Sequence, residues 1–260
     1  MQDLKDKVAI ITGGGYGIGK EIALLYARQG MRITLAARSA GPLAEARAAV
    51  EKLGAQTITI PTDVAKEADC ARMVAATVKA FGRVDILVNN AGIAGPTKST
   101  TEMSLAEWQE VIDINLTGAW LASRAALPTM AQQGAGNILM ISSGAGRRGY
   151  PLRSPYASSK WAMIGLTQTL AGEWGASGVR VNCICPGAVE GDRIERVIRA
   201  RADAMGVPYE QIRKGFTSTA ALQRMVTEHE VARVALFLVG ELSAGMTGQT
   251  LNVDAGSIMN

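Results

Sequence analysis

Short apolar runs alternate with segments of helical spacing along nearly the whole chain. Val8–Thr12 is a β-type run, and Ile18–Gln29 follows with helical spacing and stops at Gly30. Arg32–Ala37 predicts a second strand, and the Ala-rich stretch Gly41–Leu53 predicts a helix ended by Gly54. Thr57–Pro61 and Lys66–Phe81 repeat the pair, with Gly82 closing the helix. Asp85–Asn89 predicts a fourth strand, and Leu105–Gln133 one long helix kinked at Pro128. Asn137–Ser142, Val179–Cys185 and Thr250–Val253 predict further strands, separated by helices over Tyr156–Trp174 and Glu228–Leu238.

Strands this evenly apolar are covered on both faces. Their alternation with helices gives parallel pairing through right-handed crossovers. The expected fold is therefore α/β, a Rossmann-like doubly wound parallel sheet with helices on both faces. Ligands bind such sheets beyond the carboxyl ends of the strands, near the point where strand order reverses. The pattern shows no linker or repeat, so residues 1–260 read as one dinucleotide-binding and catalytic domain. The rhythm breaks only over residues 188–221, a charged stretch that reads as a substrate loop.

Composition narrows the function classes. Apolar residues make up 48% of the chain and charged residues 19%, enough to bury a large core. The net charge is +4, but basic and acidic residues are interleaved, and aromatic residues are only 5%. A nucleic-acid surface is therefore not expected, while a phosphorylated cofactor or an acidic substrate is. Three cysteines do not make a disulfide framework, and one histidine does not make a His-based metal site. No segment has the length of a signal peptide core or a membrane span, so a soluble cytoplasmic protein is expected.

The first strand runs into Thr12-Gly13-Gly14-Gly15-Tyr16-Gly17-Ile18-Gly19, and a helix follows. Glycines there let a pyrophosphate approach the backbone, and the helix start supplies N–H groups and a positive dipole end. The spacing is TGxxxGxG. Asp63-Val64 follows the third strand and Asn89-Asn90-Ala91-Gly92 the fourth. Asn115 stands in the long helix, Ser143 after a strand, and Tyr156 and Lys160 are four residues apart in the next helix. Pro186-Gly187 follows a later strand, and Gly248 with Asn252-Val253-Asp254 comes near the end.

With these motifs in this order the chain resembles the short-chain dehydrogenase/reductase family, classical type, over essentially its whole length. The resemblance implies an NAD(P)(H)-dependent oxidoreductase that interconverts a ketone and a secondary alcohol by hydride transfer. It implies that Gly13, Gly17 and Gly19 surround the pyrophosphate, with Ile18 toward the nicotinamide, and that Gly15 and Tyr16 also meet the cofactor. Asp63 and Val64 would meet the adenine. Asn89, Ala91 and Gly92 would line the cofactor cleft, with Pro186, Gly187 and Val189 on its other side. The family position that selects the cofactor maps onto Ala37, which is not acidic, and Arg38 and Ser39 follow. A guanidinium there can pair with a 2′-phosphate, so NADP(H) is favoured over NAD(H). Tyr16 weighs against this, since many NADP-using relatives carry a basic residue at its position.

Tyr156 and Lys160 share one helix face. A phenol titrates near ~10 in water, and a neighbouring ammonium favours its phenolate. The resemblance makes Tyr156 the proton donor or acceptor, Lys160 its activator and a holder of the nicotinamide ribose, and Ser143 the group that orients the substrate oxygen. Asn115 would hold a water that relays protons to Lys160. Four residues past Gly187, Gly191 stands where the family places a threonine. Arg147, Arg148 and Arg153 fall where the substrate mouth is expected, and Arg193–Lys214 is rich in arginine. A 3-oxoacyl-thioester reductase is one reading, an NAD-linked sugar or polyol dehydrogenase another, and a non-catalytic nucleotide sensor a third. No metal is expected. A homotetramer, through the helices at Leu105–Gln133 and Tyr156–Trp174 and near the C-terminus, is.

Overall fold

The computed structural model describes residues 2–259. The strands are β1 (Val8–Thr12), β2 (Arg32–Ala37), β3 (Thr57–Pro61), β4 (Ile86–Asn89), β5 (Gly136–Ile141), β6 (Val179–Pro186) and β7 (Thr250–Val253). They form one parallel sheet in the order β3-β2-β1-β4-β5-β6-β7. Every residue of β1 and of β4 is buried, as expected for central strands covered on both faces. The order reverses between β1 and β4, which pair through Ala9–Ile86 and Ile11–Val88.

One face carries α1 (Gly17–Ala27), α2 (Ala40–Glu51) and α9 (Glu228–Val239), whose apolar stripes close on Ile11, Ile33 and Val88. The other carries α3 (Glu67–Phe81), α5 (Gly118–Gln132) and α6 (Ser154–Trp174), which close on Ile10, Leu87 and Ile138. Alternate residues along each strand thus feed two cores. Among the described residues, no helix is long and apolar enough to cross a membrane.

Two expectations are corrected here. The predicted helix over Leu105–Gln133 is divided: α4 (Leu105–Ile112) is joined to α5 by a π-helical turn over Asp113–Thr117. Pro128 lies inside α5 without ending it. The stretch 188–221 holds two helices, α7 (Asp192–Met205) and α8 (Tyr209–Ser218). An apolar stripe runs along α7 through Ile194, Val197 and Ile198, and Val197 and Ile198 are buried. α8 buries no residue fully and leans on α7. The Arg199 guanidinium lies 5.1 Å from the Tyr209 ring, and the Tyr209 hydroxyl donates to Glu195.

Candidate active site

The site is assembled where β1 and β4 stop. Thr12 Oγ1 donates to Val88 O (3.1 Å) and accepts from the N–H groups of Asn90 (3.0 Å) and Ala91 (3.1 Å). Asn90 Nδ2 returns to Thr12 O (2.9 Å) and Gly13 O (3.2 Å). These bonds fasten the glycine loop to the strand next door. A Cβ on Gly19 would stand 2.5 Å from both Gly13 O and Asn90 Nδ2, so only glycine lets α1 start against this turn. Gly13 has φ +65°, a second position that favours glycine.

Asn89 does not reach the cleft. It ends β4 and points under the sheet, where Nδ2 donates to Ser123 Oγ (2.9 Å). Consecutive strand residues face opposite ways, so the neighbouring Asn90 takes the cleft wall that the motif reading gave to Asn89. Gly15 abuts Pro42, and Val64 is buried against Gly118. Tyr16 is 68% exposed at the start of α1. Arg38 is exposed just beyond β2, with no hydrogen bond or ion pair among the described residues, and the Ser39 side chain does not cap α2. Asp63 Oδ1 accepts from Ala65 N (3.2 Å). A cradle that no Cβ could share, a free cation beyond β2 and an open helix start fit a dinucleotide phosphate chain.

Beside the glycine loop lies a cleft of about 480 Å³, within the usual range for small-ligand sites. Gly13, Tyr16, Gly17, Ile18, Asn90, Ala91 and Gly92 form one wall. Ser143, Tyr156 and Lys160 form another, and Pro186, Gly187 and Val189 a third. Val189 is pinned by a parallel bridge to Val226.

Ser143 follows β5 and starts a 3-10 turn. Its Oγ accepts from Ala145 N (3.1 Å), which leaves the hydroxyl proton for Tyr156. Tyr156 and Lys160 share the inner face of α6, and Lys160 Nζ is 6.0 Å from the Tyr156 ring centre. Burial raises the Tyr156 pKa. The charges of Arg193, Lys160 and Arg153 and the Ser143 hydrogen bond outweigh it, and the phenol ends below its ordinary value. Lys160 is buried and its pKa is lowered by desolvation. Nζ donates to Ile141 O (2.8 Å).

Asn115 sits in the π turn, fully buried. Its Oδ1 accepts from Ile93 N (2.8 Å), and Nδ2 donates to Ile93 O (3.0 Å) and Ser159 Oγ (3.1 Å). The side-chain amide is therefore spent on holding the Asn90–Ile93 segment against α6. Both Nδ2 protons are engaged, while Oδ1 accepts one bond and keeps a second lone pair.

The arginines separate. Arg147 turns away from the mouth and binds β7, through Asn252 Oδ1 (3.2 Å) and Thr250 O (2.9 Å). Arg148 and Arg153 line the cleft, as do Arg193 and Arg196 of α7. Arg193 has no signal in periodicity or spacing that would mark it as facing Tyr156. Gly191, with φ +127°, starts α7, and Asp192 beside it also lines the cleft. Among the described residues, no cluster of His, Cys, Asp and Glu could hold a metal.

A family model described as short chain dehydrogenase matches residues 7–202. A 3-oxoacyl-acyl-carrier-protein reductase of Synechocystis sp. is 35% identical, with 100% of both chains covered. A crystal structure of NAD+-bound xylitol dehydrogenase superposes with TM-score 0.95 at 30% identity, covering 97% of this chain and 99% of that one. A variant of actinorhodin polyketide ketoreductase with NADPH gives TM-score 0.93 at 33% identity over 99% of both chains. The chain belongs to the short-chain dehydrogenase family and is an oxidoreductase that interconverts carbonyl and alcohol groups with a nicotinamide cofactor.

Proposed function

We propose that this chain is an NADP(H)-preferring reductase of a ketone that carries an anionic group, with Ser143, Tyr156 and Lys160 as its catalytic residues. One observation carries the reading. Three groups needed for proton transfer share one cleft, and the phenol among them is held below its ordinary pKa by cations and the Ser143 hydroxyl.

The residues act as follows. Tyr156 Oη gives its proton to the carbonyl oxygen. Ser143 Oγ donates a hydrogen bond to the same oxygen and steadies the charge that develops there. The Lys160 ammonium favours the phenolate left on Tyr156. Asn115 keeps Ile93 and Ser159 in place and so fixes the gap between α6 and the β4 end. The nicotinamide, when bound, supplies the hydride. Gly13, Gly15, Gly17 and Gly19 would hold its phosphate chain, Asp63 and Val64 its adenine, Arg38 and Ser39 a 2′-phosphate, and Lys160 its ribose.

Ala37 stands where an acid would favour NAD, and Arg38 just after it is an unpaired cation, which supports NADP(H). An NAD-linked polyol dehydrogenase is the second reading, favoured by the likeness to NAD+-bound xylitol dehydrogenase and by Tyr16 in the glycine loop. We read the chain as one catalytic domain, with residues 188–221 as its substrate cover. Its three buried, unpaired cysteines suit the reducing cytoplasm.

The test is initial rates on a ketone panel with NADPH and NADH at equal concentration, for the native chain and Tyr156→Phe. NADPH is expected to be preferred. Tyr156→Phe is expected to lose turnover by at least about 1,000-fold while still quenching on cofactor addition. Near-native turnover in that variant rejects the catalytic assignment. A preference for NADH rejects the cofactor assignment.

A further inference from the structure

Arg153 is an unusual residue to find inside this protein. It immediately precedes α6, three positions before Tyr156, and is only 4% exposed. Its Nη1 donates to Ala94 O (3.1 Å) and its Nη2 to Thr97 Oγ1 (3.1 Å). A guanidinium has five N–H donors, and these two bonds leave the others unengaged. Among the described residues no carboxylate lies within ion-pair distance of it. A buried cation without an anion is costly, and burial lowers the Arg153 pKa accordingly.

Arg193 reaches the same Gly92–Ala94 segment. It lies in the first turn of α7, and its Nη1 donates to Gly92 O (3.3 Å). Gly92 adjoins the catalytic groups, since a Cβ there would stand 3.7 Å from Lys160 Nζ. Two other arginines of α7 are already occupied. Arg199 stacks on Tyr209, and Arg201 lies 5.4 Å from the Tyr150 ring centre. Arg193 and Arg196 line the cleft, and of the two it is Arg193 whose charge is felt at Tyr156.

The acids of the cleft lie elsewhere. Glu228 Oε1 is 3.4 Å from where a Cβ would stand on Gly17 and on Gly191, and Glu21, Asp192 and Lys20 are its charged neighbours. Asp254 is spent on the N–H groups of Gly256 (3.0 Å) and Ile258 (2.8 Å). Glu190 lies toward Arg224. The charges felt at Tyr156 are thus those of cations, Arg193, Lys160 and Arg153.

We infer that Arg153 and Arg193 form an oxyanion-binding subsite beside Tyr156, so that the preferred ketone bears a carboxylate or a like anion near its carbonyl. The inference rests on the reductase reading above. A bidentate guanidinium and a second cation on the same segment would hold the anion and orient the carbonyl toward Tyr156 and Ser143.

The test uses oxo acids from 3-oxobutanoate to 5-oxohexanoate against their methyl esters, with cyclic and aromatic ketones in the same panel. The quantity read is the acid-to-ester ratio of kcat/KM. Both substrates meet the same Tyr156, so this ratio is blind to any change in its pKa. The native chain is expected to prefer at least one acid, and Arg193→Gln to cut the ratio by about ten- to a hundredfold. Arg153→Gln, if it folds, is expected to do the same. A readout without cofactor or turnover is thermal stabilisation by pentanoate, but not pentanamide, lost in Arg193→Gln. Esters or neutral ketones turned over as well as the acids overturn the subsite and leave the reductase standing. A native acid preference unchanged in both variants overturns its assignment to these arginines. No turnover of any ketone with either cofactor overturns the reductase reading itself.

Discussion

Tyr156 is the residue on which the chemistry turns, and its surroundings make a sharp pH prediction. Burial pushes its pKa up, and Arg193, Lys160, Ser143 and Arg153 pull it down past the starting value. In alcohol oxidation the phenolate accepts the proton, so kcat/KM rises as pH rises through the Tyr156 pKa. In ketone reduction the phenol donates, so kcat/KM falls through the same pKa. Arg193→Gln removes the largest of the opposing charges, and the pKa must rise. Both limbs are expected to move to higher pH, measured with a neutral substrate that does not itself titrate. An unmoved limb would mean that Arg193 is not felt at the phenol. The shared face of Tyr156 and Lys160 was legible in helical spacing, while Ser143 was marked only by the family resemblance. The facing of Asn89 was not legible, because one step along a strand reverses the face. Arg147 and Arg193 were equally hidden. Which arginine binds a neighbouring strand and which enters the cleft is decided by long-range packing that local pattern does not record.

At the scale of elements, α9 starts at Glu228, where the helical pattern put it, and a capping box fixes that start. Thr227 Oγ1 accepts from Glu230 N (3.2 Å), and the Glu230 carboxylate accepts from Thr227 N (2.8 Å). Arg224 Nη2 holds the same carboxylate at 2.6 Å, and the Glu230 pKa falls to about 2, chiefly through that bond. The box starts α9, which packs on α1 behind the glycine loop. Thr227→Ala is expected to cost about 1 kcal/mol of stability, read as a lower urea midpoint at unchanged slope. An unchanged midpoint would mean that Glu230 and Arg224 hold the helix start alone. The π turn at Asp113–Thr117 was illegible for a different reason. Its residues fit helical periodicity as well as α-helical ones do, and Pro128 offered a false cause for a break. α8 was missed because it buries no residue fully and so writes no apolar stripe into the chain.

At the scale of the whole molecule, the alternation of apolar runs was enough for a doubly wound parallel sheet, since right-handed crossovers leave few alternatives. It also placed the site, because the order reverses between β1 and β4. What one chain cannot reveal is why large apolar groups stay outside. Leu105 on α4 is 78% exposed, Trp120 on α5 41% and Trp161 on α6 50%. We expect these helices to be covered by other copies of the chain in a homotetramer. Sedimentation equilibrium is expected to give about four times the 27.3 kDa chain mass, and Trp161→Glu a smaller species. A native mass of one chain at micromolar concentration would reject this. Association also bears on catalysis. α6 carries Trp161 outward and Tyr156 and Lys160 inward, so covering its outer face steadies the helix that aims them. Turnover per chain is therefore expected to fall as the protein is diluted through its dissociation range, and to fall at higher concentration in Trp161→Glu. Constant turnover across that range would mean that the fold of one chain alone holds Tyr156 in place.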